Sequence, residues 1–546
     1  MKVRLRMRRS RCRGSARAVL LRVLCGATVL GMLGACSPEH YVESADKDAY
    51  KIIEQKWNDD FGEMANYRIN NTVPDPNEIL ALVPENGVIS LAKAVEIATK
   101  YSREYQSQKE SLYTSALSLA LTRHQYAPLW FGTVDAGYAK DAFGDDVSTS
   151  GNVGVNQTFL WANGVRATGG IAVDWLRFLT GDPQTSLGSV LSGTLTAPLI
   201  GAGAGLSAWE NLTQAERNML YRIRSFNRYR KTFVVSLISE YYRVVQQANR
   251  VEIQRDSYRR LQVSIDQVRL KVQVGQQPPY DLGEAEQRLL SGEQSLVSAI
   301  QNYEQTMDSF KIRLSLPPDT DVRLDPNELQ ALADLGVSVP DYTVEEAVKI
   351  ALENRLDLAN ARDGVDDTQR KLVLAEKALG VQVTLTGNAR ANSDGATNFT
   401  DISLSDGTYS LGVEAELPLD QMSERNSYRQ ALISLQQDKR ALDEDIDRIM
   451  LDVRQAYRDL EQTSESYRIQ QLGLRLAEQR VEAERISLRY GRSTIRLLLD
   501  SEDALVQAQN DLLGALVNHV NAKMSFFRDI GVMQVRPDGM WEQAAK

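Results

Sequence analysis

The chain has 546 residues, 43% of them hydrophobic and 25% charged, a balance that excludes intrinsic disorder as its main state. Nine of its 63 basic side chains and none of its 72 acidic ones lie within residues 1–35, so the remainder carries a net charge of about −18, a poor surface for phosphate, and no nucleic-acid partner is expected. Three cysteines (Cys12, Cys25, Cys36) and three histidines (His40, His124, His519) leave almost no material for disulfides, metal sites or imidazole catalysis, so neither an enzyme nor a cofactor is expected.

Residues 1–35 read as a secretory signal. Arg4, Arg6, Arg8, Arg9, Arg11, Arg13 and Arg17 form a basic head, and the apolar stretch from Ala18 to Leu33 is too short to span a bilayer comfortably. It ends in Leu33-Gly34-Ala35-Cys36, which resembles a bacterial lipobox, and Cys36 is then the lipidated first residue of the mature chain. Beyond Cys36 no apolar run reaches the roughly 18 residues of a transmembrane helix, so any membrane crossing must be made by strands.

The rest of the chain is a two-fold duplication. Ser90-Leu-Ala-Lys-Ala-Val-Glu-Ile-Ala matches Thr343-Val-Glu-Glu-Ala-Val-Lys-Ile-Ala at an offset of 253 residues, each opening with a helix-capping hydroxyl. Leu195-Thr-Ala-Pro198-Leu199 corresponds to Ala415-Glu-Leu-Pro418-Leu419, and Val274-Gly275-Gln-Gln to Tyr490-Gly491-Arg-Ser, in the same order. The segments are residues 36–89, an N-terminal anchor and equatorial piece; 90–315, the first repeat; 316–342, a proline-rich equatorial linker; 343–530, the second repeat; and a tail, 531–546.

Within the first repeat, Gly132–Tyr138, Val153–Leu160, Val165–Val173 and Thr194–Leu199 alternate as strands, with Asn163-Gly164 offering a two-residue hairpin turn. Residues 141–190 are either additional barrel strands or a large outer loop. From Ser207 to Val274 runs a helix of about 100 Å, followed past Gly275 by a shorter one from Asp281 to Ser315. The second repeat predicts a helix from Thr343 to Gly380, strands over 381–389 and 411–417, and a second long helix from Gln421 to Tyr490. In that helix Tyr428, Leu432, Leu435, Leu442, Ile446, Ile449, Val453, Ala456, Leu460, Tyr467, Leu474, Ala477, Val481 and Leu488 fall on alternating steps of three and four, the period of left-handed coiled-coil packing. The strands carry one apolar and one polar face, as in a membrane barrel or in a soluble sandwich with one wet face.

On the duplicated order, the two Pro-Leu strand ends and the two glycine turns, residues 90–530 resemble the TolC-like outer-membrane efflux proteins. Pro198-Leu199-Ile-Gly201-Ala-Gly203 is similar to a Pro-Leu-Leu-Arg-Gly-Ala-Gly segment found in part of that family. The resemblance implies an α+β membrane protein: a trimeric outer-membrane β-barrel continued by a long periplasmic α-helical barrel, with two strands per repeat. It implies a lipid-anchored exit channel of a tripartite efflux or type I secretion system, working with a periplasmic membrane-fusion adaptor and an inner-membrane pump of the RND or ABC type. By the same resemblance Gly275 and Gly491 are tip glycines, Asp281, Glu284 and Asp500 a lumen gate, and Leu497 stands where a further acid is expected. Val274, Gly275, Gln276, Tyr490, Gly491, Arg492 and Ser493 become adaptor contacts. The competing reading is a periplasmic adaptor or scaffold lipoprotein that uses its coiled-coil hairpins only for protein contact. No Walker loop, HExxH or GxSxG string occurs, so transport energy must come from a partner.

Overall fold

The computed structural model describes residues 37–57, 61, 64, 66–70, 75–141, 144–162, 164–178, 185–201, 204–335, 337–394, 400–417, 419–536 and 540–543. Residues 1–35, expected to be a signal segment, lie outside them, as do Cys36, Asn163 and Pro418. In chain order the elements are α1 (Pro38–Lys56), α2 (Pro76–Leu80), β1 (Val88–Ile89), α3 (Leu91–Tyr101), α4 (Arg103–His124), β2 (Leu129–Asp141), β3 (Gly144–Phe159), β4 (Val165–Phe178) and β5 (Thr185–Ile200). There follow α5 (Ala204–Gln273), α6 (Pro279–Arg313), β6 (Arg323–Leu324), α7 (Asn327–Leu335), α8 (Val344–Asn354), α9 (Leu356–Lys377), β7 (Gln382–Asn392) and β8 (Thr408–Glu416). The chain ends with α10 (Met422–Arg489), α11 (Ile495–Asp529), β9 (Met533–Val535) and β10 (Trp541–Gln543).

The long helices form as their sequences dictate. α5 has 70 residues and α10 has 68, neither containing proline, so the hydrogen-bond ladder runs unbroken for about 100 Å. Helices of this length need lateral support. α5 packs against α6 and α11 toward the glycine turns and against α4 and α9 toward the strands, while α10 packs against α11 and α9. Four helices therefore lie abreast at either level. The three-four seam of α10 is the face that packs: Leu435, Ile449, Val453, Ala456, Leu460 and Val481 are buried.

Both repeats open on a capped helix. The Ser90 hydroxyl accepts from the Lys93 N–H, and Thr343 forms a reciprocal capping box with Glu346. The expected single helix over 343–380 is two helices, broken at Arg355 (ψ 118°), and the first repeat breaks likewise at Ser102 (ψ 128°). Neither residue is a glycine or proline, so the sequence carries no local breaker. What stabilises the Arg355 corner is tertiary: its guanidinium binds Asp357 (2.8 Å) and Asp452 on α10 (3.5 Å).

The main core sits midway along the helices. Tyr105, Phe226, Phe233, Tyr241, Phe310 and Phe526 are buried there, joined by residues of the linker and tail such as Val322, Tyr342 and Met533. β1 and β6 pair in parallel, joining the end of the N-terminal segment to the linker, and the Tyr241 hydroxyl donates to the Ile89 carbonyl at 3.1 Å.

The strands form one antiparallel sheet in the order β2-β3-β4-β5-β7-β8. The first repeat thus supplies four strands and the second two, which corrects the two per repeat that the family resemblance implies and decides residues 144–178 in favour of strands over an outer loop. The hairpin expectation at Asn163-Gly164 is corrected as well. Phe159 pairs with Val165, so five residues connect β3 to β4, three of them in a 3₁₀ turn, and Gly164 takes a φ of +78°. Among the described residues no helix is long and apolar enough to cross a membrane.

Candidate functional site: the helical tip and the strand wall

At the tip, α5 turns into α6 and α10 into α11 by the same device. Gly275 (φ +75°) and Gly491 (φ +69°) end the long helices in the left-handed conformation that a side chain disfavours. In the first turn Gln276 N–H reaches the Lys271 carbonyl (2.8 Å) and Gly275 N–H that of Val272 (3.0 Å). In the second, Arg492 N–H reaches Ser487 (2.9 Å) and Gly491 N–H reaches Leu488 (3.2 Å), so both are Schellman caps. No atom lies within 4 Å of the Cβ that either glycine lacks, so the backbone angle, not crowding, is what requires glycine.

Beneath the turns a small apolar core of Leu261, Ile265, Val268, Ala285, Ile495 and Leu499 binds the helices together. Around it lie the ion pairs. Arg288 on α6 donates to Asp500 (2.6 Å) and Asp503 (2.5 Å) on α11, and Arg496 on α11 donates back to Glu284 on α6 (2.8 Å). Glu502 on α11 is nearly inaccessible and accepts from Arg260 on α5 (2.6 Å) and Arg485 on α10 (3.0 Å). Burial pushes the Asp503 carboxyl above its ordinary range, and Arg288 opposes that shift.

The expected gate residues are therefore not equivalent. Glu284 and Asp500 face arginines of their own protomer across the α6–α11 contact, whereas Asp281 is half-buried in the first turn of α6. Leu497 is exposed on the first turn of α11, where the Thr494 hydroxyl caps its N–H. Of the expected adaptor contacts, Val274, Gly275, Gln276, Tyr490, Gly491 and Arg492 are exposed at the two turns, while Ser493 is half-buried and donates to Glu484 at 2.5 Å. Arg288, Arg260, Arg485 and Glu502 were not singled out by the sequence. Their only signal is spacing on either side of the tip glycines, and it becomes legible only once α5, α6, α10 and α11 are known to lie side by side.

The strand wall is the second candidate surface. Pairing registers place Trp130, Val155, Gly169, Gly193, Ala389 and Tyr409 in one row across all six strands. The next row, on the opposite face, reads Phe131, Gly154, Gly170, Ser192, Arg390 and Thr408. One face is apolar along most of its length, with Lys140, Asp145, Arg177 and Ser189 toward the end far from the helices, and the other is largely Ser, Thr, Asn and charged. Among the described residues, the outer edges of β2 and β8 are unpaired within the protomer.

Residues 347–527, inside the second repeat, match the family model described as outer membrane efflux protein. The chain is also similar to the solved channel CusC (TM-score 0.61, 14% identity, 86% of this chain and 96% of that one). It is similar to the VceC outer membrane protein of Vibrio cholerae (TM-score 0.60, 11% identity, 81% and 96%) and the CmeC outer membrane channel of Campylobacter jejuni (TM-score 0.58, 14% identity, 87% and 91%). No curated protein sequence matches the chain. The chain thus has the helix-rich α+β fold of the outer-membrane channels, and its second repeat carries an outer membrane efflux protein domain. The resemblance to the TolC-like efflux proteins read from the sequence is borne out.

Proposed function

We propose that this protein is the outer-membrane exit channel of a tripartite efflux or type I secretion system, anchored through Cys36 and passing solutes passively across the outer membrane and periplasm. The observation that carries the reading is the six-stranded sheet with one apolar face and two unpaired edges, continuous with helices about 100 Å long. Open strand edges are prohibitive in lipid, where no water satisfies the backbone, so a single protomer cannot stand in a membrane. A homotrimer closes each β8 edge on the β2 edge of the next copy and sets four helices per protomer around one tunnel.

In this reading the α6–α11 ion pairs hold the tip closed. The exposed turns at Val274–Gln276 and Tyr490–Ser493 receive the periplasmic adaptor, and an RND or ABC pump supplies the energy. Asp281, Glu284 and Asp500 approach the axis in threefold rings and favour cations. The experiment is single-channel conductance of the purified trimer, native and carrying Asp281→Ala with Asp500→Ala. Small cation-selective events that grow in the variant are expected. An inserted, folded trimer without conductance overturns the channel and favours the scaffold reading.

A further inference from the structure

The first repeat carries a strand pair, β3 and β4, that four strands per protomer would not need. These are not a loop draped over a barrel. β3 pairs with β2 from Asn156–Leu129 to Gly144–Asp141 and with β4 from Phe159–Val165 to Asp146–Phe178, without a register shift. At 16 and 14 residues they exceed the roughly 9–11 a tilted membrane strand needs. Their alternation is in phase with their neighbours: Val153 and Val155 lie on the face of Ile171, Val173 and Leu191, while Ser148, Ser150, Asn152 and Asn156 lie on the face of Thr168. Gly154 also belongs to this built surface, because a Cβ there would stand 2.5 Å from the ring of Phe131 on β2. At the helix end the connecting turn is tied down, with Trp209 Nε1 of α5 donating to the Leu160 carbonyl at 3.0 Å.

We infer that the trimer closes an eighteen-stranded barrel whose lumen admits hydrophilic solutes too wide for a twelve-stranded one; this rests on the channel reading above. Strands about 4.8 Å apart and tilted about 40° give a backbone radius of about 12 Å for twelve strands and about 18 Å for eighteen. Twelve helices abreast, about 9 Å apart, close a ring of about 17 Å radius. Eighteen strands give a backbone radius close to that of the helix ring. After side chains of about 5 Å line the wall, the free radius is about 13 Å rather than about 7 Å. The polar face carries Asp135, Asp146, Asp174, Glu414 and Glu416 against Arg166 and Arg390, so wide neutral or cationic solutes are the favoured class.

Particle images of the native trimer in lipid nanodiscs are expected to show eighteen strands and a wall about 36 Å across. A trimer with a twelve-stranded wall about 24 Å across overturns the inference and leaves the channel standing, whereas particles that are not trimers overturn both. A neutral polyethylene glycol of about 10 Å hydrodynamic radius, added on the barrel side, is expected to lower single-channel current in the native protein. It is expected to have no effect once residues 144–184 are deleted, because β2 then runs directly into the antiparallel β5. Native current insensitive to the polymer overturns the inference. Should the deletion not fold, Asn152→Cys and Val153→Cys decide: a membrane-impermeant maleimide is expected to label the first and spare the second, and equal labelling overturns it.

Discussion

Arg288 and Asp500 join the two returning helices of one protomer across 2.6 Å, and the same guanidinium reaches Asp503 at 2.5 Å. In the proposed trimer the arginine neutralises carboxylates that would otherwise repel their copies about the threefold axis. Each contact is partly exposed and contributes about 0.5 kcal/mol, but six such bonds in a trimer amount to about 3 kcal/mol, on the order of 100-fold in the closed-to-open ratio. Arg288→Ala is expected to raise the open probability in planar bilayers by that order. Open probability unchanged by the substitution would remove Arg288 from the latch.

Glu502 presents a different balance, because it is buried where α5, α10 and α11 meet. Glu502→Ala leaves Arg260 and Arg485 facing each other without the intervening carboxylate, and a loss of about 3 kcal/mol is expected, larger than for any exposed tip pair. Hydrogen exchange localises the effect: amides of 256–272 and 480–500 should exchange faster, with those of the equatorial core unaffected. Restoration by Glu502→Asp would show that the charge suffices without the longer reach.

Gly275 and Gly491 are held by angle alone, and replacement by alanine places a Cβ in the left-handed region without any clash. Each substitution is expected to cost about 1 kcal/mol and to loosen the tip without unfolding it. Chemical denaturation of Gly275→Ala and the double variant checks both the size and the additivity. A cost several-fold larger would mean that the turn is packed against something the protomer alone does not show.

The duplication, the long helices, the strand alternation and both glycine turns were legible because each depends on local pattern, a period or a residue with special backbone freedom. What escaped was set by neighbours. Ser102 and Arg355 stand 253 positions apart, as do the carbonyls of Ala98 and Ala351 that their N–H groups reach, yet neither position announces a break. The strand count of the first repeat was left open since alternation alone cannot separate a barrel hairpin from an outer loop; continuous register decides it. Arg288 and Arg260 at the tip were missed for the same reason, their partners lying more than two hundred residues away.

Acid should loosen the protein first near the strand end of the helices. Asp367 on α9 is nearly inaccessible and accepts from Tyr221 (2.7 Å), Gln214 (2.9 Å), Arg217 (2.5 Å) and Arg370 (2.8 Å). Burial alone would raise its pKa, but the hydrogen bonds from Tyr221, Gln214 and Arg370 and the charge of Arg217 hold it below the ordinary aspartate value of 3.8. Asp357, through Arg355 and Arg228, and Glu216, through Arg123 and Lys56, are lowered in the same way against their own burial. A carboxylate whose pKa is depressed by folding binds fewer protons in the folded state, so its stabilisation is complete above the unfolded value and is lost as pH falls through the folded one. Stability is therefore expected to be flat at neutral pH and to fall below about pH 4, with α4, α5 and α9 separating before the tip. Asp367→Ala should bring that loss to neutral pH, at about 3–5 kcal/mol, because Arg217 and Arg370 lose the buried charge they share. Helical circular dichroism against pH, with exchange read at residues 210–224 and 357–370, measures it. An unchanged acid midpoint in Asp367→Ala would show that other carboxylates govern the transition.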